Sequence, residues 1–276
     1  MKRSAYVIAG AAAIGLLATA LYLGQRDTAF VPSSVGASAP AAAAAAPSAP
    51  APTAAEPKVH YPVDAKLSAP PFATTFDLQT ALSDLLGLKT VQSMLRLDDF
   101  PHRLAATVDN LGRSDAPSTL WPLNPAGGRF AVDERDSATF IGADNGLRYT
   151  PYVLLLETAD LHRAVAVYAR IYPSLQRAYQ ELGYPKAYFN DRLVQVIDQL
   201  LATPETDAPL QVQLPPINGP VRPARPWVLY QFADPAMESL SAGQKILLRM
   251  GSINERRIKV RLGEVRRLLT ASPSKR

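Results

Sequence analysis

Hydrophobic and polar positions change their rhythm along the 276-residue chain, and the changes divide it into unlike parts. No charged residue lies between Arg3 and Arg26, and residues 4–24 carry Val7, Ile8, Ile14, Leu16, Leu17, Leu21 and Leu23. About 20 helical residues cross a hydrocarbon core of about 30 Å, so this run predicts one transmembrane helix. A different pattern follows. Ala37 to Ala55 holds twelve Ala, four Pro and no charge, and residues 25–69 read as an Ala/Pro-rich flexible linker. At about 3.1 Å per residue, the forty residues Thr28 to Leu67 would span on the order of 120 Å when extended.

From residue 70 onward a helical period dominates. Helices are predicted over Asp77–Leu86, Lys89–Leu97 and Pro101–Leu111, with Gly87 and Gly112 as stops. Ser114 to Gly128 is rich in proline and glycine and reads as a loop. Phe130 and Val132, then Phe140-Ile141, predict a hairpin or a small sheet edge. Thr150-Pro151 offers a capping hydroxyl and an N-terminal proline for a helix to Thr158. The next helix, Asp160 to Leu182, contains Pro173, which lacks an N–H and predicts a kink or break. Phe189–Ala202 follows, with Leu193, Ile197 and Leu200 inward. Leu210, Val212 and Leu214 alternate as in a strand, as do Val228, Tyr230 and Phe232. Pro235–Met250, whole or in two pieces, and Ile253–Leu269 close the chain. The expected fold is mainly α (α+β): a single multi-helical domain over 70–270 with a few short strands. One transmembrane helix and the linker precede it, and residues 271–276 form a disordered tail.

Charge orients this arrangement. Lys2 and Arg3 precede the apolar run, and only Arg26, beside Asp27, follows it closely. The positive-inside bias therefore places residues 1–3 in the cytoplasm and the domain beyond a bacterial-type inner membrane, in the periplasm. Ala18-Thr19-Ala20 also has the form of a signal-peptide cleavage site. The apolar run continues through Leu21-Tyr22-Leu23, which favours a retained single-pass signal anchor; both readings export the domain. The net charge of +5 is uneven: ten basic and two acidic residues stand from Ser241 onward, against sixteen and twenty-two over 27–240. The absence of cysteine excludes disulfides, thiolate metal sites and a cysteine nucleophile.

Two stretches are distinctive: YPSLQRAYQELGYPKAYFNDRLVQVIDQLLATP (Tyr172–Pro204) and YQFADPAMESLSAGQKILLRMG (Tyr230–Gly251). DDFPHRLAATVDNLGR (Asp98–Arg113) accompanies them. In these the chain resembles a family of uncharacterised, inner-membrane-anchored proteins of Gram-negative bacteria, catalogued as a domain of unknown function. The resemblance covers most of Asp77 to Leu269. It implies the anchored topology and no assigned activity.

The polar residues of these stretches have two readings. Tyr184, Tyr188, Asn190, Asp191, Arg192 and Arg249 are the candidate binding surface. Against that, Asn190 can cap a helix, Asp234 precedes Pro235 as a cap, and Ser241/Gln244 and Ser252/Glu255 have capping-box spacing. Tyr168, Tyr172, Tyr179, Tyr184 and Tyr188 could line a groove or rim the core. The last helix is amphipathic. Ile258, Leu262, Val265 and Leu269 oppose Arg256, Lys259, Arg266 and Arg267, a face for anionic lipid, polymer or acidic protein, or one simply solvated. His60 (in the linker), His102 and His162 lack metal-ligand spacing, and no nucleophile elbow or phosphate loop is present. No catalytic residue, metal or cofactor is expected, and nucleic acid is an improbable partner for an exported domain. The sequence thus points to a non-enzymatic, membrane-tethered envelope scaffold or binding module for an envelope protein or cell-wall polymer. The alternative is a carboxylate-dependent envelope hydrolase or remodelling enzyme using Asp191 or Asp234.

Overall fold

The computed structural model describes residues 58–63, 77–216 and 225–271. Nine α-helices stand among them, in chain order: α1 (Leu78–Leu86), α2 (Leu88–Met94), α3 (Phe100–Leu111), α4 (Thr150–Thr158), α5 (Leu161–Glu181), α6 (Phe189–Leu201), α7 (Pro235–Glu238), α8 (Ala242–Arg249) and α9 (Ser252–Thr270). The strands β1 (Val132–Arg135), β2 (Ala138–Ile141), β3 (Gln211–Gln213) and β4 (Gln231–Phe232) form one antiparallel sheet in sequence order. The chain is therefore mainly helical with a small four-stranded sheet. The predicted anchor over 4–24 and most of the predicted linker lie outside the described residues. Among those described, no helix is long and apolar enough to cross a membrane.

Besides the neighbouring pair α1 and α2, helix contacts run from α3 to α5 and α6, and from α9 to α6, α4 and α5, with α8 against α3, α6 and α9. Leu104, Leu111, Leu156, Leu175, Phe189, Leu193, Ile197, Ile246 and Leu262 meet in the main core. Trp121, from the predicted loop, is also fully buried there. The sheet covers a smaller cluster of Val212, Phe232 and Leu248, flanked by Phe130, Val132, Ile141 and Tyr230. Its first hairpin turns at Asp136-Ser137, both left-handed (φ 49° and 63°). That is a mirror-image two-residue turn, whose twist matches the strands.

Local signals are honoured where the neighbouring backbone allows. Asp77 and Asp234 cap α1 and α7, accepting from Gln79 and Ala236 N–H. Ser241 and Gln244 form a complete capping box on α8. Four expectations are corrected here. Thr150 does not cap α4, because a 3-10 turn over Ala143–Tyr149 runs straight into the helix. Ser252 does not cap α9 either: the break from α8 is made by left-handed Gly251 (φ 83°), and Glu255 is buried beside Lys259 instead. Pro173 does not break α5, which runs uninterrupted for 21 residues. Pro173 is exposed while Ile171, Tyr172 and Leu175 around it are buried, so packing on either side keeps the helix continuous. The strand expected over 228–232 is shortened to Gln231–Phe232 by a 3-10 turn at Pro226–Val228.

The basic face of α9 meets acids of the same chain. Arg256 pairs with Asp207 (2.6 Å), Lys259 with Glu205 (3.0 Å), Arg266 with Asp198 and Arg257 with Glu157. Arg261 binds Glu264 and the carbonyls of Leu156 (3.1 Å) and Ala159 (2.5 Å). Four of the basic residues from Ser252 onward are thus met by acids outside α9, while Arg267 is exposed.

His102 joins the start of α3 to the end of α5, with Asp99 Oδ1 2.5 Å from Nδ1 and Glu181 Oε2 2.6 Å from Nε2. Hydrogen bonding to Glu181 first, and then to Asp99, raises its pKa above the ordinary 6.5. The proton is bound more tightly in the folded chain, so the stabilisation is complete below about pH 6.5 and fades as pH rises through the folded value. Melting temperature measured at about pH 5.5 and about pH 9 should fall more in the native chain than in His102→Gln. Identical falls would show that the bridge contributes nothing.

Candidate functional site

The tyrosine-rich stretch between α5 and α6 organises the polar centre of the domain. Gln176 on α5 fixes its path: the amide donates to the Ala187 carbonyl (2.8 Å), and its oxygen accepts from Phe189 N–H (2.8 Å) and the Tyr172 hydroxyl (2.9 Å). Phe189 is wholly buried against Tyr179, and Tyr179 stacks on Tyr184 at 4.6 Å. Burial pushes the Tyr179 hydroxyl up to about 12. Burial likewise raises Tyr168 and Tyr172, whose hydroxyls donate to Asn190 and Gln176. The rings form a connected row, Tyr168–Tyr172–Tyr188, at 5.7 and 5.4 Å. This row belongs to the core, with its hydroxyls bonded inside the protein.

Asn190 is not a cap. The N-terminal flanking residue of α6 is Tyr188, and Asn190 is fully buried in the first turn. Its oxygen accepts from the Tyr168 hydroxyl (2.9 Å), and its amide donates to the carbonyl of Tyr61 (2.8 Å). Tyr61 belongs to residues 58–63, within the stretch that the sequence assigns to the linker. Asp191 accepts the N–H of His60 on Oδ2 (2.9 Å) and of Tyr61 on Oδ1 (2.8 Å). The Tyr188 hydroxyl accepts the N–H of Val63 (2.9 Å). Three of the six candidate residues therefore grip the main chain of the upstream segment.

Arg192 turns the other way. Its Nε donates to Asp109 Oδ1 (3.0 Å), one terminal nitrogen to the Asp109 carbonyl (2.9 Å) and the other to Gln195 (2.9 Å). Asp109 also pairs with Arg113 (2.6 Å) and accepts from the Tyr184 hydroxyl (3.1 Å). Gly112 makes room, since a Cβ there would meet the Arg192 guanidinium at 2.8 Å. Asp109 and Arg113 are absent from the sequence-derived surface. Their only signal is membership of the Asp98–Arg113 stretch, where Asp109 looks like any polar position of an amphipathic helix.

Arg249 has different surroundings. It donates to the Tyr230 carbonyl (3.1 Å), lies over the Phe232 ring (4.9 Å), and its own carbonyl accepts from Asn145 (2.8 Å). Burial lowers its pKa, with Glu238 opposing. It holds the sheet to α8, away from the α6 contacts. Among the described residues no three His, Asp or Glu side chains converge as a metal-binding set.

A family model described as "Protein of unknown function (DUF3014)" matches residues 100–266. No curated protein and no solved structure matches the chain.

Proposed function

The chain belongs to the DUF3014 family, and we propose that it is a non-enzymatic scaffold or binding module of the bacterial envelope. In this reading the helix over 4–24 anchors it in the inner membrane as a single pass, and the domain works in the periplasm on an envelope protein or cell-wall polymer. The supporting observation is what the distinctive polar residues do: Tyr188, Asn190 and Asp191 hold a main-chain segment through four hydrogen bonds. The carboxylates on which a hydrolase would depend are engaged in the same manner. Asp191 accepts two backbone N–H groups, and Asp234 accepts that of Ala236. Such groups are arranged to hold chains in place.

The test is capture from detergent-solubilised envelopes with the full chain, at low salt and at about 1 M, where screening shrinks to about 3 Å. Because the paired residues of α9 already have acidic partners, the expected result is one partner retained at high salt and confirmed by reciprocal capture. Hydrolysis of purified cell-wall material, lost in Asp191→Asn or Asp234→Asn with the fold intact, would overturn it in favour of the enzyme.

A further inference from the structure

We propose that Tyr188, Asn190 and Asp191 form a clamp for an extended polypeptide segment of a partner protein, and that residues 60–63 are its displaceable internal occupant. The inference rests on the binding-module reading and specifies its ligand. All four of the bonds run to occupant main-chain atoms: the N–H groups of His60, Tyr61 and Val63 and the carbonyl of Tyr61. Two side chains add to this hold: Val63 packs against the main core, and the Tyr61 hydroxyl interacts with Arg266. Lys58, Val59, His60 and Pro62 are exposed, and Tyr61 and Val63 are only half-buried. The occupant is therefore held by the partial burial of Tyr61 and Val63 together with hydrogen bonds of about 0.5–1.5 kcal/mol net each.

The clamp side is built differently. Asn190 is fully buried, with its oxygen fixed by Tyr168 and its amide directed at the occupant's carbonyl. When the occupant leaves, water can reach that amide, so the clamp can exchange one chain for another without leaving a buried donor unpaired. The partner must offer two successive N–H groups with a carbonyl after them. It tolerates proline next, as Pro62 shows, and it needs an N–H one residue further on. Because the occupant belongs to the same chain, competition is intramolecular and sets a threshold for any partner strand. A partner strand must exceed that threshold, or tension on the upstream chain must lower it.

The experiment uses the full chain in detergent, with a fluorescent peptide of the sequence Lys58–Val63 as probe. In His60→Pro/Tyr61→Pro the occupant loses both N–H groups that face Asp191. The peptide should bind this variant saturably, at least about tenfold more tightly than the native chain, where the tethered segment competes. Methylating the two corresponding peptide nitrogens should remove binding, as should adding Asp191→Ala. Absence of saturable binding to the double-proline variant, with its melting transition intact, would overturn the proposal. So would equal binding of the methylated peptide. A native dimer abolished by the two prolines would assign the clamp to a second copy and overturn the partner-protein assignment. Failure here with envelope capture retained removes only the clamp, whereas peptide binding without any envelope capture removes the scaffold reading.

Discussion

Replacing Asp109 by Ala is expected to destabilise the domain by about 3 kcal/mol, at the low end of the cost of breaking a buried ion pair. Its side chain is 8% exposed and accepts from Arg192, Arg113 and Tyr184 together. Removal leaves Arg192, itself only 18% exposed, with Gln195 and the Asp109 carbonyl as remaining acceptors. Arg113 is half exposed and can turn to water, which is why the upper end of the range is not reached. At about 2–4 °C per kcal/mol for a domain of this size, the melting temperature should fall by about 6–12 °C. Asp109→Asn keeps the shape and one acceptor, so about half that loss is expected. Urea denaturation measures both. An unchanged midpoint for Asp109→Ala would remove the network's structural role.

Phe189→Ala should cost about 3–5 kcal/mol, the range for emptying an aromatic site in a packed core. Phe189 is fully buried, and its ring lies 5.5 Å from that of Tyr179. It is also the first residue of α6, and its N–H is held by Gln176. The cavity would therefore open beneath the residues that carry Tyr188, Asn190 and Asp191. Stability and peptide binding should fall together, whereas Asp191→Ala should lower binding with little change in melting. Phe189→Leu, which keeps most of the volume, should recover both in part. A cost of under about 1 kcal/mol for Phe189→Ala would mean that the cavity collapses and that the α6 start is not set by this ring.

Much of the helical framework is legible because it depends on short-range pattern. The runs ending at Leu86, Leu111 and Leu201 appear within a residue or two of their predicted ends. The Ser241/Gln244 box forms as its spacing implies. Ser252/Glu255 has the same spacing and fails, since left-handed Gly251 already makes the junction and Lys259 draws the Glu255 carboxylate. Two identical local signals were separated only by what lay beside them.

The candidate surface divides on the same principle. Tyr188, Asn190 and Asp191 were recognisable as unusual polar residues opening a helix, but their partner lies about 130 positions upstream. No period or motif reports that distance. Arg249 shares a stretch with a capping box, yet its contacts belong to the sheet. The basic face of α9 reads as free charge in one dimension and finds Asp198, Asp207 and Glu157 in three.

Alone, then, the sequence determined most helix positions, the first hairpin and several caps. These follow from interactions within one or two turns, or from composition. Tertiary structure alone decided which polar groups meet, because hydrogen bonds and ion pairs act over about 3 Å, whatever the sequence separation. It was that proximity which brought Tyr188, Asn190 and Asp191 onto residues 60–63 and Arg192 onto Asp109.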